Sequence, residues 1–121
     1  MFLATIDKSK RLLLLSYAGR VRAEELAAGH KTASLLLADL PSGMLVLADF
    51  ERLESMDTAG AAEMGRLMEL ADHKGVELIA RVIPDASKDI GLNILAAFHY
   101  RKPPRSITCA TMEEAVKALG I

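Results

Sequence analysis

Cysteine is nearly absent from this chain. Cys109 stands alone among 121 residues, so neither an internal disulfide nor a cysteine-built zinc site can form. A lone cysteine fits a reducing compartment. Charge of one sign is also lacking: 15 Lys and Arg face 16 Asp and Glu, for a formal net charge of −1. That balance offers no general attraction to nucleic acid or to anionic lipid. Apolar runs stop at five residues, as in Met44–Ala48, far short of the roughly 20 that span a bilayer. The opening Met1–Asp7 has no basic stretch ahead of it, and Asp7, Lys8, Lys10 and Arg11 interrupt its apolar character. No signal peptide is expected, and a soluble cytoplasmic protein is the default.

What is present is a large apolar fraction, 51% of residues against 26% charged, which excludes disorder. At this length one domain over residues 1–121 is expected, burying roughly two-thirds of its extended surface without metal or disulfide staples.

Residues 3–7 and 11–18 read as two strands around the turn Asp7-Lys8-Ser9-Lys10, an antiparallel hairpin. Gly19 is read as the break that ends the second strand. From Ala23 to about Leu37 the period becomes helical, with Ala23, Leu26, Ala27, His30, Ala33 and Leu37 on one face. Pro41-Ser42-Gly43 is a turn. Met44–Ala48 then reads as a strand buried on both faces and ending near Asp49, as in a parallel sheet. A loop of about seven residues is expected to follow. From Thr58 to about His73 a second helix turns Ala61, Met64, Leu67, Met68 and Ala71 one way, and Lys74-Gly75 closes it. Val76–Val82 is the next strand. Asp85 can cap a helix that presents Ile90, Ile94, Leu95 and Phe98. After the basic loop Arg101–Arg105 come a short strand, Ser106–Cys109, and a last helix. There Thr111 and Glu114 fit a capping box, and Met112, Ala115, Val116 and Leu119 form the apolar stripe. Strands alternating with helices predict an α/β fold with a mixed, mainly parallel sheet, right-handed crossovers and about four helices.

The segment Leu45–Gly60 is the most informative. The carboxyl end of a strand feeding a helix N-terminus is where α/β sheets place ligands and switches. A phosphate on Thr58 would sit at the positive end of the helix dipole and add about −1.5 to −2 charges beside Asp57. The plainer reading makes Asp57 or Thr58 a helix N-cap worth about 1 kcal/mol.

This segment resembles the STAS domain, the family found in sulfate transporters and in antagonists of anti-sigma factors. The family carries an apolar strand ending in Asp and, eight residues later, the motif Asp-Ser-Ser-Gly at the head of a helix. Asp49 and Asp57 have this spacing, and Asp57-Thr58-Ala59-Gly60 occupies the place of the motif. Lys74–Ile79, the stretch from Leu95 through Ile107 to Thr111–Val116, and the opening hairpin with Gly19-Arg20-Val21 resemble the rest of the family pattern in order and spacing. The sequence departs from it in losing one hydroxyl at Ala59, in Gly60-Ala61-Ala62 where Gly-Leu-Gly is usual, and in Arg22, which replaces a polar residue.

The resemblance implies a STAS-like fold and a non-enzymatic regulatory module without cofactor or metal. Thr58 is implied as the phosphoacceptor, and Asp49, Ser55, Met56, Asp57, Ala59 and Gly60 as the switch and partner-binding residues. It also implies a protein partner such as an anti-sigma factor or a serine/threonine kinase, and leaves a homodimer open. A chain with no membrane segment is similar to the regulatory branch. Phosphorylation would then bring like charges into an interface and eject an acidic partner at a cost of several kcal/mol. The helix dipole would favour the anion by roughly 0.3–1 kcal/mol, so the fold survives.

Other features point to structure. The chain has no Gly-x-Ser-x-Gly, P-loop or Gly-x-Gly-x-x-Gly. His30, His73 and His99 lie in three separate segments and read as structural, and Cys109 as a small core residue. Arg101–Arg105, beside Tyr100, is too short and too poor in aromatics to bind nucleic acid. Met44, Met56, Met64 and Met68 read as core, yet they keep an alternative alive, a STAS-like carrier of a small apolar or lipid-like ligand.

Overall fold

A computed structural model describes residues 1–57, 59–83 and 106–121. The elements run β1 (Phe2–Asp7), a 3-10 turn (Lys8–Lys10), β2 (Leu12–Val21), α1 (Ala23–Ala38), β3 (Leu45–Met56), α2 (Gly60–Lys74), β4 (Leu78–Val82), β5 (Ser106–Cys109) and α3 (Met112–Leu119). The strands form one five-stranded sheet in the order β1-β2-β3-β4-β5. β1 pairs antiparallel with β2, and every other neighbouring pair is parallel. This is the mixed, mainly parallel sheet with an opening hairpin that the alternation of periods predicts. Three helices lie among the described residues. The helix expected after Asp85, with Phe98, His99, Tyr100 and the loop Arg101–Arg105, falls outside them. No helix among the described residues is long and apolar enough to cross a membrane.

The central strands are apolar on both faces because both faces are covered. Leu13, Leu15 and Tyr17 of β2 and Val46, Ala48 and Phe50 of β3 join Leu26, Ala33 and Leu37 of α1 and Met64, Leu67, Met68 and Ala71 of α2 in one core. Leu12, Leu45, Leu47, Ala80, Val82 and Cys109 point the other way, against Ala115 and Leu119 of α3. Each fully buried Leu or Met side chain contributes about 1.5–3 kcal/mol. Met44, Met64 and Met68 are wholly buried packing residues, while Met56 is partly buried against the first core. The aromatics among the described residues gather there too: Tyr17 stacks on Phe50 with centroids 4.5 Å apart, and Phe2 lies 4.9 Å from Tyr17. His30 is the buried polar residue of this core. Its Nε2 lies 3.4 Å from the Tyr17 hydroxyl, and its ring meets the Phe2 ring edge-on at 5.1 Å.

Three readings from periodicity are corrected. Gly19 does not end β2, which runs on to Val21. Gly19 takes φ +64 at a place where the β2–β3 register slips, so it serves as an irregularity that lets pairing resume. Nor does β3 end near Asp49. It continues to Met56, and no loop intervenes, because Arg52, Leu53, Ser55 and Met56 pair with the extended end of β2. Ala27 is exposed, since the buried stripe of α1 is the narrower set Leu26, His30, Ala33 and Leu37.

The closing helix follows its sequence signal closely. Thr111 Oγ1 accepts the Glu114 N–H at 3.2 Å, and Gly120 ends the helix at φ +71. The reciprocal arm reaches one residue further back than the capping-box pattern specifies: Glu114 Oε2 accepts the N–H of Ala110 at 3.1 Å. Cys109 is buried, and that burial, aided by the Glu114 charge, pushes its thiol pKa upward.

Candidate functional site

Pairing of β3 with β4 stops at Asp49, opposite Val82, while β2 and β3 continue as a pair to Val21 and Met56. The residues after Asp49 therefore rise beyond the end of β4 on a two-stranded extension. Its tip leads into α1 from β2 and towards α2 from β3. A cleft of about 300 Å³ opens there, lined by Arg20, Val21, Arg22, Glu24, Ser55, Met56 and Asp57.

Asp57 ties this tip together. Its N–H donates to Val21 O at 3.2 Å, and its carbonyl accepts the Gly60 N–H at 2.8 Å. Its carboxylate Oδ2 accepts the Ala23 N–H at 3.0 Å. Asp57 is therefore a cap, but of α1 and not of the helix that follows it. The physical reason lies at Arg22, the N-cap position of α1, whose side chain makes no capping bond. The first N–H groups of a helix need acceptors, and an anion placed there also meets the positive end of the dipole. The neighbouring strand supplies both. α2 begins at Gly60 behind Ala59, which offers no side-chain cap, so neither Asp57 nor a start at Thr58 matches the expected helix head.

The other residues expected at the site distribute unevenly. Ser55 is half-buried and sits opposite Arg20 in the β2–β3 register. Met56 lines the cleft and is partly buried against the core. Ala59 is exposed and Gly60 buried. Gly60 is packed closely: an added Cβ would lie 2.6 Å from Leu26 Cδ1 and 2.7 Å from Met56 Cγ. Thr58 lies outside the described residues. Asp49 is not brought to the tip. It lies within β3, eight residues before Asp57, or roughly 25 Å of strand, and its Oδ1 accepts the Glu51 N–H at 2.9 Å. The shared spacing with Asp57 thus measures length along a strand and not two sides of one site.

Sequence reasoning missed Arg20 and Glu24 as cleft residues and the Asp57–Ala23 bond. A helical period beginning directly after Arg22, with no Ser, Thr, Asp or Asn before it, was the available signal that a cap must come from elsewhere. Among the described residues no group of three or more His, Cys, Asp or Glu side chains is placed to hold a metal ion. His73 is exposed in the last turn of α2, and His30 belongs to the core.

No family model and no curated protein matches the sequence. Solved structures do match. The anti-sigma factor antagonist SpoIIAA in its unphosphorylated form superposes with a TM-score of 0.59 at 20% identity, over 99% of this chain and 98% of that one. The Bacillus cell fate determinant SpoIIAA in its phosphorylated form gives 0.64 at 19% identity, over 98% and 99%. An anti-sigma factor antagonist from Mycobacterium paratuberculosis gives 0.63 at 15% identity, over 100% and 94%. The chain has the SpoIIAA-like fold, the architecture that the STAS resemblance implies.

Proposed function

We propose, starting from the SpoIIAA-like fold, that this chain is a regulatory protein-interaction module whose partner engages the tip formed by the ends of β2 and β3 and the head of α2. In this reading Thr58 is the phosphoacceptor, and the partner is a protein such as an anti-sigma factor or a serine/threonine kinase. The observation that carries the reading is the bonding of Asp57. Anchored to Val21, Ala23 and Gly60, it fixes the backbone immediately before position 58 while Ala59 on the other side is exposed. A tethered Asp57 and an exposed Ala59 suit both a kinase and a docking partner.

A phosphate at position 58 would add about −1.5 to −2 charges next to Asp57. An interface built against the unmodified tip would then carry like charges or an unpaired, desolvated phosphate, and would open. The methionine-rich core counts against the carrier reading, because Met44, Met64 and Met68 are packed among Leu, Val and aromatic side chains.

The test compares wild type, Thr58→Ala and Thr58→Glu as baits in cell extract, with mass spectrometry of Thr58 in protein taken from its native host. The reading expects a partner held by wild type and Thr58→Ala and lost by Thr58→Glu, and a phosphate on Thr58. Equal recovery by all three baits, with no phosphate, overturns it.

A further inference from the structure

Arg20 and Arg22 flank Val21 where β2 ends and α1 begins. Val21 is turned into the core, 1% exposed. Arg22 keeps the chain extended, at φ −89 and ψ 155. Side chains alternate along an extended backbone, so the two arginines leave on the same side, with Cα atoms roughly 7 Å apart. Both are exposed, and both line the cleft at the tip. The backbone between them is held by the Asp57 N–H, which donates to Val21 O at 3.2 Å.

The carboxylates nearby are engaged elsewhere or set apart. Asp57 Oδ2 accepts the Ala23 N–H at 3.0 Å. Glu25 takes the Phe2 N–H at 2.7 Å and lies 3.3 Å from the Met1 ammonium. Glu24 is exposed on the cleft wall, in the first turn of α1, where the positive helix end offsets its charge. Among the described residues no carboxylate forms an ion pair with Arg20 or Arg22. Met56 adds an adaptable apolar surface beside them, and Ser55 a hydroxyl.

We propose, resting on the reading above that a protein partner engages this tip, that the partner presents an acidic segment: an Asp or Glu side chain seats between Arg20 and Arg22, with an apolar neighbour against Met56. Each guanidinium offers a planar fork that matches a carboxylate. Two of them on a backbone already fixed give up little freedom on binding. The cleft, about 300 Å³, is at the small end of binding pockets and takes one or two side chains of a docking segment. Negative charge added at the tip would repel the same segment.

The test titrates the isotope-labelled chain with the capped peptide Gly-Leu-Glu-Glu-Leu-Gly, and with forms carrying Gln or Lys in place of both Glu, following backbone amide shifts by NMR. The Glu peptide is expected to shift residues 20–24 and 55–57, less so as salt rises. Arg20→Gln and Arg22→Gln are each expected to weaken it at least about threefold with circular dichroism unchanged. Glu24→Gln, which removes the opposing charge, is expected to tighten it. No shift at the tip overturns the proposal. So do equal shifts with the Gln peptide or with acetate, or a preference for the Lys peptide that Glu24→Gln abolishes. Baits separate this contact from the switch at Thr58. A partner lost by Thr58→Glu but held by the double Arg20→Gln, Arg22→Gln variant refutes the acidic contact and leaves the switch standing. Arginine-dependent peptide binding, with no partner sensitive to Thr58→Glu, supports the acidic contact and removes the switch.

Discussion

Removing the Asp57 carboxylate should loosen a helix that lies 34 residues earlier in the chain. In Asp57→Ala the Ala23 N–H loses its acceptor at 3.0 Å, and Arg22 provides no replacement. Loss of a cap of this type costs about 1 kcal/mol, and loss of a negative charge at the helix N-terminus a further 0.3–1 kcal/mol or so. With an unfolding entropy of roughly 2.1 cal/mol/K per residue over 121 residues, a total of about 1–2 kcal/mol lowers Tm by roughly 4–8 °C. Asp57→Asn keeps an acceptor but not the charge, so it should lose less than half as much. The assay is thermal unfolding by circular dichroism, paired with amide exchange in the native state. Exchange should quicken at Ala23, Glu24 and Glu25, the first turn of α1. A Tm within about 1 °C of wild type, or faster exchange confined to the first turn of α2, refutes the reasoning. The second result would mean that Asp57 caps the helix that follows it after all.

Three other outcomes are expected. Gly29→Ala should destabilise the fold by about 1–3 kcal/mol in denaturant titration although alanine favours helix, because its Cβ would fall 2.0 Å from the Phe2 ring; pairing it with Phe2→Ala should recover part of the loss. Thr111→Ala should cost about 1 kcal/mol by the same titration through loss of the 3.2 Å bond to the Glu114 N–H. Stability should decline as pH falls below neutrality, because burial holds His30 below its ordinary value, with Glu63 opposing. Above about pH 6.5 the imidazole is neutral whether the chain is folded or not, and the full stability is present. As pH falls through that value the unfolded chain takes up a proton that the folded core resists, and the loss levels off below the folded pKa. Tm measured from about pH 7.5 to about pH 5 should fall more steeply for wild type than for His30→Gln; equal slopes would remove His30 as the cause.

The apolar runs of β2 and β3, the helical stripes Met64-Leu67-Met68-Ala71 and Ala115-Leu119, and the Thr111 cap were legible in the sequence, because each depends on neighbours within a few positions. So was the order of the described strands and helices, and with it the mixed sheet. Contacts between distant segments were not. Nothing near Asp49 says that β3 continues, since the polar residues 51, 52 and 54 look like a loop until the extended end of β2 is there to pair with Arg52, Leu53, Ser55 and Met56. Nothing near Asp57 says that its carboxylate serves α1, since that bond exists only because the ends of β2 and β3 lie side by side. Periodicity fixes which face of an element is apolar. Which ends meet is decided when the strands take their register.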